Sequence, residues 1–451
     1  MRLNANRAVT QAKLAFLSLA IGLVLISTGH AQERSSPSAN ASVTSSSASL
    51  THPYKLPPDK LAQATALGRI RPAIHFASEF WELVFLWILL ANGAAVRLGR
   101  WAAAKTGRKW LQAALFSAPF AALVFVATDL PLATIGHAFS LHYRISVESW
   151  PAWLIDEAKT LGLTVLLETL LLMLLFGFMH WTWSRRRYWL WFAAATVPLM
   201  VLGTFLLPAL IDPLFNTFEP LAKSHPELVT ELQRIVARTG THIPLERMYL
   251  MKASEKSNGL NAYVTGIGAS KRIVVWDTTA DRMPMDEILF TFGHESGHYV
   301  LNHIPKGLAL GAVGVFALFW VAARLARWLV SRFGAAWQID SVASLPGLVV
   351  LLLALTVLQI VTDPVGCAVS RFIEHEADIY GQEAVHGIVP DPQKTAVASF
   401  NHLGAAYLDD PDPNAFIVFW TYDHPSTQER AIFAAQYDPW APGHQPRFFP
   451  Q

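Results

Sequence analysis

Six apolar stretches of about membrane length restrict what this sequence can fold into. They cover about residues 80–96, 110–127, 161–183, 188–210, 307–330 and 345–363. A membrane helix needs roughly 20 apolar residues, and a helix satisfies its backbone hydrogen bonds internally, as lipid requires. Apolar residues make up 53% of the 451-residue chain and charged residues only 15%, against roughly 25% charged residues in soluble domains. The sequence therefore predicts a mainly α-helical, multi-pass protein embedded in a lipid bilayer.

The beginning of the sequence is typical of an exported chain. A basic segment precedes a short apolar stretch at 14–26, and small residues follow up to Ala31. This order predicts a signal peptide at residues 1–31, with an uncleaved membrane anchor as the alternative. Residues 32–54 are mostly Ser, Ala, Thr, Pro and Asn, which predicts a flexible Ser-rich leader.

The distribution of positive charge predicts the orientation in the membrane. The loops after the first, third and fifth apolar stretches contain Arg97, Arg100, Lys105, Arg108, Lys109, Arg185, Arg186, Arg187, Arg324, Arg327 and Arg332. The intervening loop 128–158 contains only Arg144. Basic loops stay in the cytoplasm. Residues 212–304 and the part from about 365 onward are therefore predicted on the periplasmic or extracytoplasmic side of the cell (inner) membrane.

This pattern divides the rest of the chain into four parts. A membrane domain of four helices is predicted at 55–211, followed by a catalytic domain at 212–304. Two membrane helices follow at 305–365. Residues 366–451 are predicted to supply a further metal ligand and to complete the catalytic domain.

The segment 212–304 mixes helix and strand patterns. Leu228, Leu232 and Ile235 fall on one face of a helix predicted at 223–239. Short strands are predicted at 248–251, 262–267 and 272–276, with a hairpin turn at 268–271 between the last two. The fold class expected is a helical membrane protein with an inserted α+β, zincin-like catalytic domain.

A helix with two histidines is predicted between Pro284 and Pro305. His294 and His298 are four residues apart, so they project from one face and can bind a single zinc ion. Glu295 lies beside them, where it can take a proton from the attacking water. This HExxH pattern predicts metal-assisted hydrolysis.

The third metal ligand must come from elsewhere in the chain. His303 lies one residue away from the position that the third histidine of three-histidine zincins occupies. After the sixth apolar stretch, Glu374 and Asp378 share a helix face, so that Glu374 could bind zinc while Asp378 orients a histidine ligand. His375 could compete as a ligand, and an ordinary charged exit from the membrane is the alternative interpretation.

Taken together, the motifs resemble the integral-membrane zinc metalloproteases of the CAAX prenyl protease 1 type, which are gluzincins. The matching segments, in chain order, are 212–221, 261–263, 271–278, 294–298, 370–374 with 377–378, and His424-Pro425 followed by Arg430. Their order and spacing span about residues 55–437. An ordered set of this kind is far more specific than HExxH alone.

The resemblance implies zinc bound by His294, His298 and Glu374. It also implies that Glu295 acts as the general base and that Asp378 supports the site. The Zn²⁺ ion would polarise the scissile carbonyl, and the Glu295 carboxyl would protonate the leaving amine.

Further roles are implied outside the metal ligands. His424 would face the cleft and stabilise the oxyanion, and Arg371 would frame the site. Asn261 and Ala262 would belong to a strand that holds an extended substrate backbone. The family encloses a large intramembrane chamber, which would give Glu168 a wet environment. A carboxylate hydrogen-bonded between helices is the alternative for this residue.

The function expected is a membrane-embedded zinc metalloendopeptidase that acts on peptide or membrane-protein substrates, with membrane protein quality control as its candidate role. The alternatives are an intramembrane-cleaving metalloprotease and a non-enzymatic zinc-binding membrane scaffold. A net charge of +2 gives no basic field for nucleic acid. The predicted outward orientation and the signal-like beginning differ from the family's best-known eukaryotic members, whose sites face the cytosol. The resemblance alone therefore does not establish a prenylated peptide as the substrate of this chain.

Overall fold

The computed structural model describes residues 53–182, 187–266 and 270–450. The predicted signal peptide, all but the last two residues of the predicted leader, Arg185, Arg186 and part of the predicted hairpin turn lie outside these residues.

The first half of the described chain is entirely helical. Its helices are α1 (Pro58–Ala91), α2 (Ala94–Lys105), α3 (Lys109–Val124), α4 (Leu130–His142), α5 (Trp150–Thr182), α6 (Tyr188–Phe205) and α7 (Leu207–Phe215). A π-helical turn, Phe125–Asp129, joins α3 to α4 without a break.

The catalytic part contains the sheet. Its elements are β1 (Phe218–Pro220), α8 (Leu221–Ser224), α9 (Pro226–Thr239), β2 (Met248–Met251), β3 (Ala262–Thr265), β4 (Arg272–Trp276), α10 (Asp277–Arg282) and α11 (Met285–Val300). The chain then continues through α12 (His303–Trp337), α13 (Leu345–Ala384), α14 (Pro392–Tyr407), α15 (Ala415–Thr421) and α16 (Thr427–Gln436).

Six helical segments in the described residues are long and apolar enough to cross a membrane: α1, α3 with α4, α5, α6, α12 and α13. This confirms the prediction of a multi-pass helical protein. Buried apolar side chains from these helices form one continuous core, in which the Phe192 and Phe319 rings pack edge to face at 4.8 Å. Other large apolar side chains, such as Trp181 and Val313, are exposed, as lipid-facing residues are.

The catalytic part is built on a four-stranded sheet in the order β1-β2-β4-β3. β2 and β4 are parallel, and the other pairs are antiparallel. The observed β2 and β4 coincide with the predicted strands. Leu228, Leu232 and Ile235 are buried on α9, as their spacing predicts. Strand β3 lies at the edge of the sheet, beside the two-histidine helix α11.

The prediction that Pro305 ends the two-histidine helix is wrong. Helix α11 ends at Val300, and Asn302 adopts a left-handed conformation with φ of +57°. The next helix starts at His303, so Pro305 lies in its first turn, where the missing N–H costs no helical hydrogen bond. The chain therefore turns sharply just after the two histidines.

Helix α13 is one unbroken helix of 40 residues. It contains both the sixth predicted membrane stretch and Glu374, so the predicted boundary at 365/366 falls inside it. Hydropathy marks where a helix leaves the apolar layer, whereas the helix itself ends only where its hydrogen-bond ladder ends. Glu374 is therefore held on a rigid extension of a membrane helix.

Candidate metal centre

Helices α11 and α13 approach each other closely because glycine residues face the contact. A Cβ added to Gly381 of α13 would lie 2.8 Å from the backbone nitrogen of His294. A Cβ added to Gly297 of α11 would lie 3.0 Å from the side chain of Tyr380. Close approach of this kind requires glycine. It places the two-histidine face of α11 against the face of α13 that carries Glu374.

Two imidazole rings and one carboxylate converge at this contact. The Nε2 atoms of His294 and His298 are 3.2 Å apart. Oε2 of Glu374 lies 3.2 Å from the first, and Oε1 of Glu374 lies 3.5 Å from the second. Ligands about 2.0–2.2 Å from one tetrahedral zinc ion are roughly 3.3–3.6 Å apart. The spacing and chemistry of the three groups therefore fit one such ion.

Asp378 and Arg430 lie behind His294. Oδ1 of Asp378 is 2.9 Å from the Nδ1 atom of His294. The Arg430 guanidinium donates two hydrogen bonds to the same carboxylate, at 2.8 and 2.5 Å. A bidentate pair of this kind fixes the carboxylate in one orientation. The arrangement holds the His294 ring with its Nε2 atom toward Glu374.

Electrostatics treats the two histidines differently. Burial alone would lower the pKa of His294, but the Asp378 and Glu374 carboxylates outweigh it and raise that pKa to about 10. Burial lowers the pKa of His298 to about 3, and the neighbouring His294 and His303 act in the same direction. Without an ion, the carboxylates attract a proton to one imidazole and leave the other neutral. A bound cation would take the place of that proton, since metal ligation requires neutral imidazole.

Glu295 lies between the two histidines in the sequence, and its side chain is half-buried. Burial and the Glu374 carboxylate together raise the pKa of Glu295 to about 7, against the opposing effects of His294 and His424. A carboxyl group with a pKa near neutrality can both accept and return a proton. This is the property that a general acid–base residue needs.

His424 reaches the site from the segment before α16. Its Nε2 atom is 3.1 Å from Oε2 of Glu374, and its Nδ1 atom is 2.7 Å from Asp423. Burial would lower the pKa of His424, but the Glu374 and Asp423 carboxylates raise it to about 9. The sequence signals His424 through the His-Pro motif, whereas nothing in the pattern indicated Asp423.

Arg371 contacts the backbone of the same segment. Its Nη1 atom donates to the carbonyl oxygens of Val418 and Tyr422, at 2.9 and 2.6 Å. The guanidinium therefore fixes the turn that leads to His424. This geometry connects Arg371 to the frame of the site, and the bonds to substrate remain a prediction.

Asn261 and Ala262 lie where the edge strand β3 begins. The Asn261 backbone is held on both sides, since its N–H donates to Thr279 Oγ1 and its carbonyl accepts from the Thr279 hydroxyl. Ala262 pairs with Val275 of β4. The outer edge of β3 faces away from β4, on the side where an extended peptide could add as a further strand.

Two other predicted residues lie away from the three converging groups. The His375 ring packs against Phe433 at 4.4 Å, so it does not compete as a ligand. Glu168 lines a cavity in the membrane part, together with Glu79, Glu82 and Asp129. This placement favours the cavity interpretation of Glu168 over an interhelical hydrogen bond.

Comparison with known proteins identifies two matching family profiles. Peptidase family M48 matches residues 222–437, and the CAAX prenyl protease N-terminal family of five membrane helices matches residues 46–217. An uncharacterized metalloprotease, YhfN, from Bacillus subtilis is 33% identical over 390 residues, which cover 86% of this chain and 88% of that protein.

More distant relatives share parts of the chain or its fold. The CAAX prenyl protease 1 of Saccharomyces cerevisiae is 29% identical over 195 residues, 42% of this chain and 41% of the yeast protein. The crystal structure of S. mikatae Ste24p superposes with a TM-score of 0.70 at 21% identity, covering 84% of this chain and 90% of that one. That structure shares the fold described above.

Proposed function

Since the chain belongs to peptidase family M48, we propose that His294, His298 and Glu374 bind a zinc ion at which peptide bonds are hydrolysed. The chain is a multi-pass membrane metalloprotease. The identity of the metal and the roles of individual residues are our inference. Its main support is the convergence of two imidazole nitrogens and one carboxylate within 3.5 Å. Two histidines and a glutamate are ligands that suit zinc.

When bound, the metal polarises the scissile carbonyl and lowers the pKa of water at the site. Glu295 accepts a proton from the attacking water and returns it to the leaving amine. Its raised pKa of about 7 is favourable for both transfers near neutral pH. Beside a bound cation the Glu295 carboxylate would stay ionised before attack, because the positive charge would oppose that rise in its pKa.

The scissile carbonyl oxygen becomes negatively charged during attack. Against the effect of burial, the Glu374 and Asp423 carboxylates raise the pKa of His424 to about 9, which favours its protonated form near neutral pH, and its Nε2 atom lies 3.1 Å from Oε2 of Glu374. We assign it as a hydrogen-bond donor to the developing oxyanion. Arg371 keeps the segment before His424 in place through its bonds to Val418 and Tyr422.

The substrates that we propose are extended segments of peptides and membrane proteins. Such a segment would add to the free edge of β3 through backbone hydrogen bonds at Asn261 and Ala262. The edge strand packs beside α11, so a peptide bound there would pass close to Glu295.

We further propose that the protein lies in the cell (inner) membrane with its metal centre on the periplasmic side. Two basic loops meet at one end of the membrane helices, where the Arg100 guanidinium donates to Gln338 at 3.1 Å. Gly99 packs there against Pro346 at the start of α13. Glu374 lies near the other end of α13, so the basic loops and the metal centre lie at opposite ends. Basic loops face the cytoplasm.

The catalytic assignment is tested with the Glu295→Gln variant of the full chain in detergent. We expect about one zinc ion per chain by elemental analysis in both wild type and variant, and peptide cleavage only in the wild type. The Lys394→Ala variant is a matched control, because Lys394 forms an ion pair with Asp391, its side chain is 87% exposed, and it is not among the residues assigned to the site. Wild-type cleavage rates in Glu295→Gln would refute the role of Glu295, and protein without zinc would refute the metal assignment.

The orientation is tested with a reporter fused after Gln451. We expect reporter activity on the extracytoplasmic side of the membrane. Activity in the cytosol would overturn the proposed orientation while leaving the catalytic assignment intact.

A further inference from the structure

The imidazole of His303 contacts the metal-ligand candidate His298 from behind. The Nδ1 atoms of the two rings are 3.1 Å apart. Nε2 of His303 lies 3.5 Å from Oε2 of Glu376, and the other oxygen of Glu376 is paired with Arg447. We propose that His303, Glu376 and Arg447 form a relay that orients His298 toward the metal. This inference rests on the proposed function, because it assumes that His298 is a ligand.

The backbone places His303 for this contact. Asn302 has φ of +57°, a conformation that costs non-glycine residues energy but that asparagine tolerates best. The left-handed residue ends α11 and starts α12 at His303. The ring of His303 thereby returns toward α11, five residues after His298, and only 5% of it remains exposed. A continuous helix would have carried this side chain to a different face.

Metal ligation sets the protonation of the relay. If His298 binds the ion through Nε2, its Nδ1 atom carries the proton and must donate it. The partner at 3.1 Å is Nδ1 of His303, which must then accept and is unprotonated. The remaining proton of a neutral His303 is on Nε2, directed at Glu376. The acceptor at His303 thereby holds the His298 ring in the ligating tautomer.

A segment near the end of the sequence holds the outer end of the relay. The buried carboxylate of Glu383 on α13 accepts hydrogen bonds from the backbone N–H groups of Arg447, Phe448 and Phe449, at 2.7, 2.7 and 3.1 Å. The rings of Phe448 and Phe449 pack on Tyr380 of the same helix. The 447–449 segment is therefore fixed to α13, with the Arg447 guanidinium beside Glu376.

The contact between His303 and His298 is tested by comparing His303→Asn with His303→Leu in the full chain. Asparagine keeps an acceptor oxygen where His303 has Nδ1, whereas leucine has a similar shape and no acceptor. We expect zinc affinity, measured by competition with a chelator, to fall by about 10–100-fold in His303→Leu and much less in His303→Asn. In the Co²⁺-loaded proteins, the visible absorption spectrum should change in His303→Leu and remain close to wild type in His303→Asn.

The contact between Arg447 and Glu376 is tested with Arg447→Ala. Because its side chain is 52% exposed, we expect zinc affinity to fall by only about two- to fivefold. In a double-mutant cycle, Arg447→Ala should have no further effect in the His303→Leu background, since the relay is already broken. Lys394→Ala again removes one partner of an exposed ion pair and should leave zinc affinity unchanged.

The outcomes separate this inference from the proposed function. If the wild type binds no zinc, the proposed function fails. If the wild type binds zinc and His303→Leu has the same affinity and Co²⁺ spectrum, the relay is refuted while the metal site stands. Equal losses in His303→Leu and His303→Asn, with lowered thermal stability of both metal-free proteins, would mean that His303 only packs and would also refute the relay.

Discussion

The two histidines of α11 face the same point but are supported in different ways. Behind His294 stand one carboxylate and one arginine, Asp378 and Arg430, joined by two hydrogen bonds and buried in the protein. Behind His298 stands a longer series that begins with a second imidazole, His303, and ends at a half-exposed arginine.

The two supports differ in how exposed the arginine at the end of each is, since Arg430 is largely buried and Arg447 is half-exposed. An ion pair in the interior is costly to break, because the remaining charge is left without water. A pair that reaches solvent loses little when one partner is removed. We therefore expect the His294 side to be rigid and sensitive to substitution, and the His298 side to be more tolerant. Glu374 has a third kind of support, since it contacts His424 on a segment that Arg371 holds.

The largest effect is expected for Asp378→Asn. The substitution leaves the Arg430 charge unpaired in the interior and should destabilise the protein by about 3–5 kcal/mol, as measured by thermal unfolding in detergent. Glu376→Gln makes the same change from carboxylate to amide behind His298 and should destabilise the protein far less. Equal destabilisation by the two variants would break the comparison.

His424→Ala should have the next largest effect, on turnover rather than on stability. Loss of one donor to an oxyanion typically lowers kcat by about 10²–10³-fold. Zinc content should stay at the wild-type level, because the three proposed ligands remain. A variant with unchanged kcat, or one that had lost its zinc, would contradict the role assigned to His424.

A smaller effect is expected for Arg371→Ala. Without its bonds to the carbonyls of Val418 and Tyr422, the segment before His424 is less well placed, and kcat should fall by about tenfold. The same substitution in a His424→Ala background should have little further effect. If the two losses simply multiplied, Arg371 would act independently of His424, for example by direct contact with substrate.

The smallest effect is expected for Glu376→Gln. The amide retains an acceptor for His303 and loses only the charge that pairs with Arg447, so zinc affinity should fall by about two- to fivefold. Chelator competition measures this change. If Glu376→Gln lowered zinc affinity as much as Asp378→Asn does in the same assay, the exposed end of the relay would be as important as the buried Asp378–Arg430 pair.

Much of the fold was predictable from local patterns. The apolar runs predicted the membrane helices, and strands β2 and β4 coincide with the predicted segments 248–251 and 272–276. The helical spacing of Leu228, Leu232 and Ile235 predicted the buried face of α9. These features depend on residues close together in the sequence, where periodicity is a direct signal.

The end of α11 was misplaced because two signals competed. Proline at 305 is typical of a helix boundary, but proline is also tolerated in the first turn of a new helix. Asn302 was the better signal, since asparagine is among the residues that end helices in the left-handed conformation. The consequence was that His303, placed by this turn, had no assigned partner.

Contacts between distant segments were predictable only where a family motif indicated them. The approach of Glu374 to His294 and His298 follows the motif order, and the structure brings the three together. The pairing of Arg447 with Glu376 has no local pattern, because neither residue lies in a repeat or a motif. Long-range packing decides such contacts.

X-ray absorption at the zinc edge of the purified wild-type chain tests the central claim most directly. The account predicts two imidazole ligands and oxygen ligands only, at about 2.0–2.2 Å. Scattering from sulfur at about 2.3 Å, which Cys367 as the single cysteine of the sequence would have to supply, would contradict it. So would a spectrum with fewer than two imidazoles.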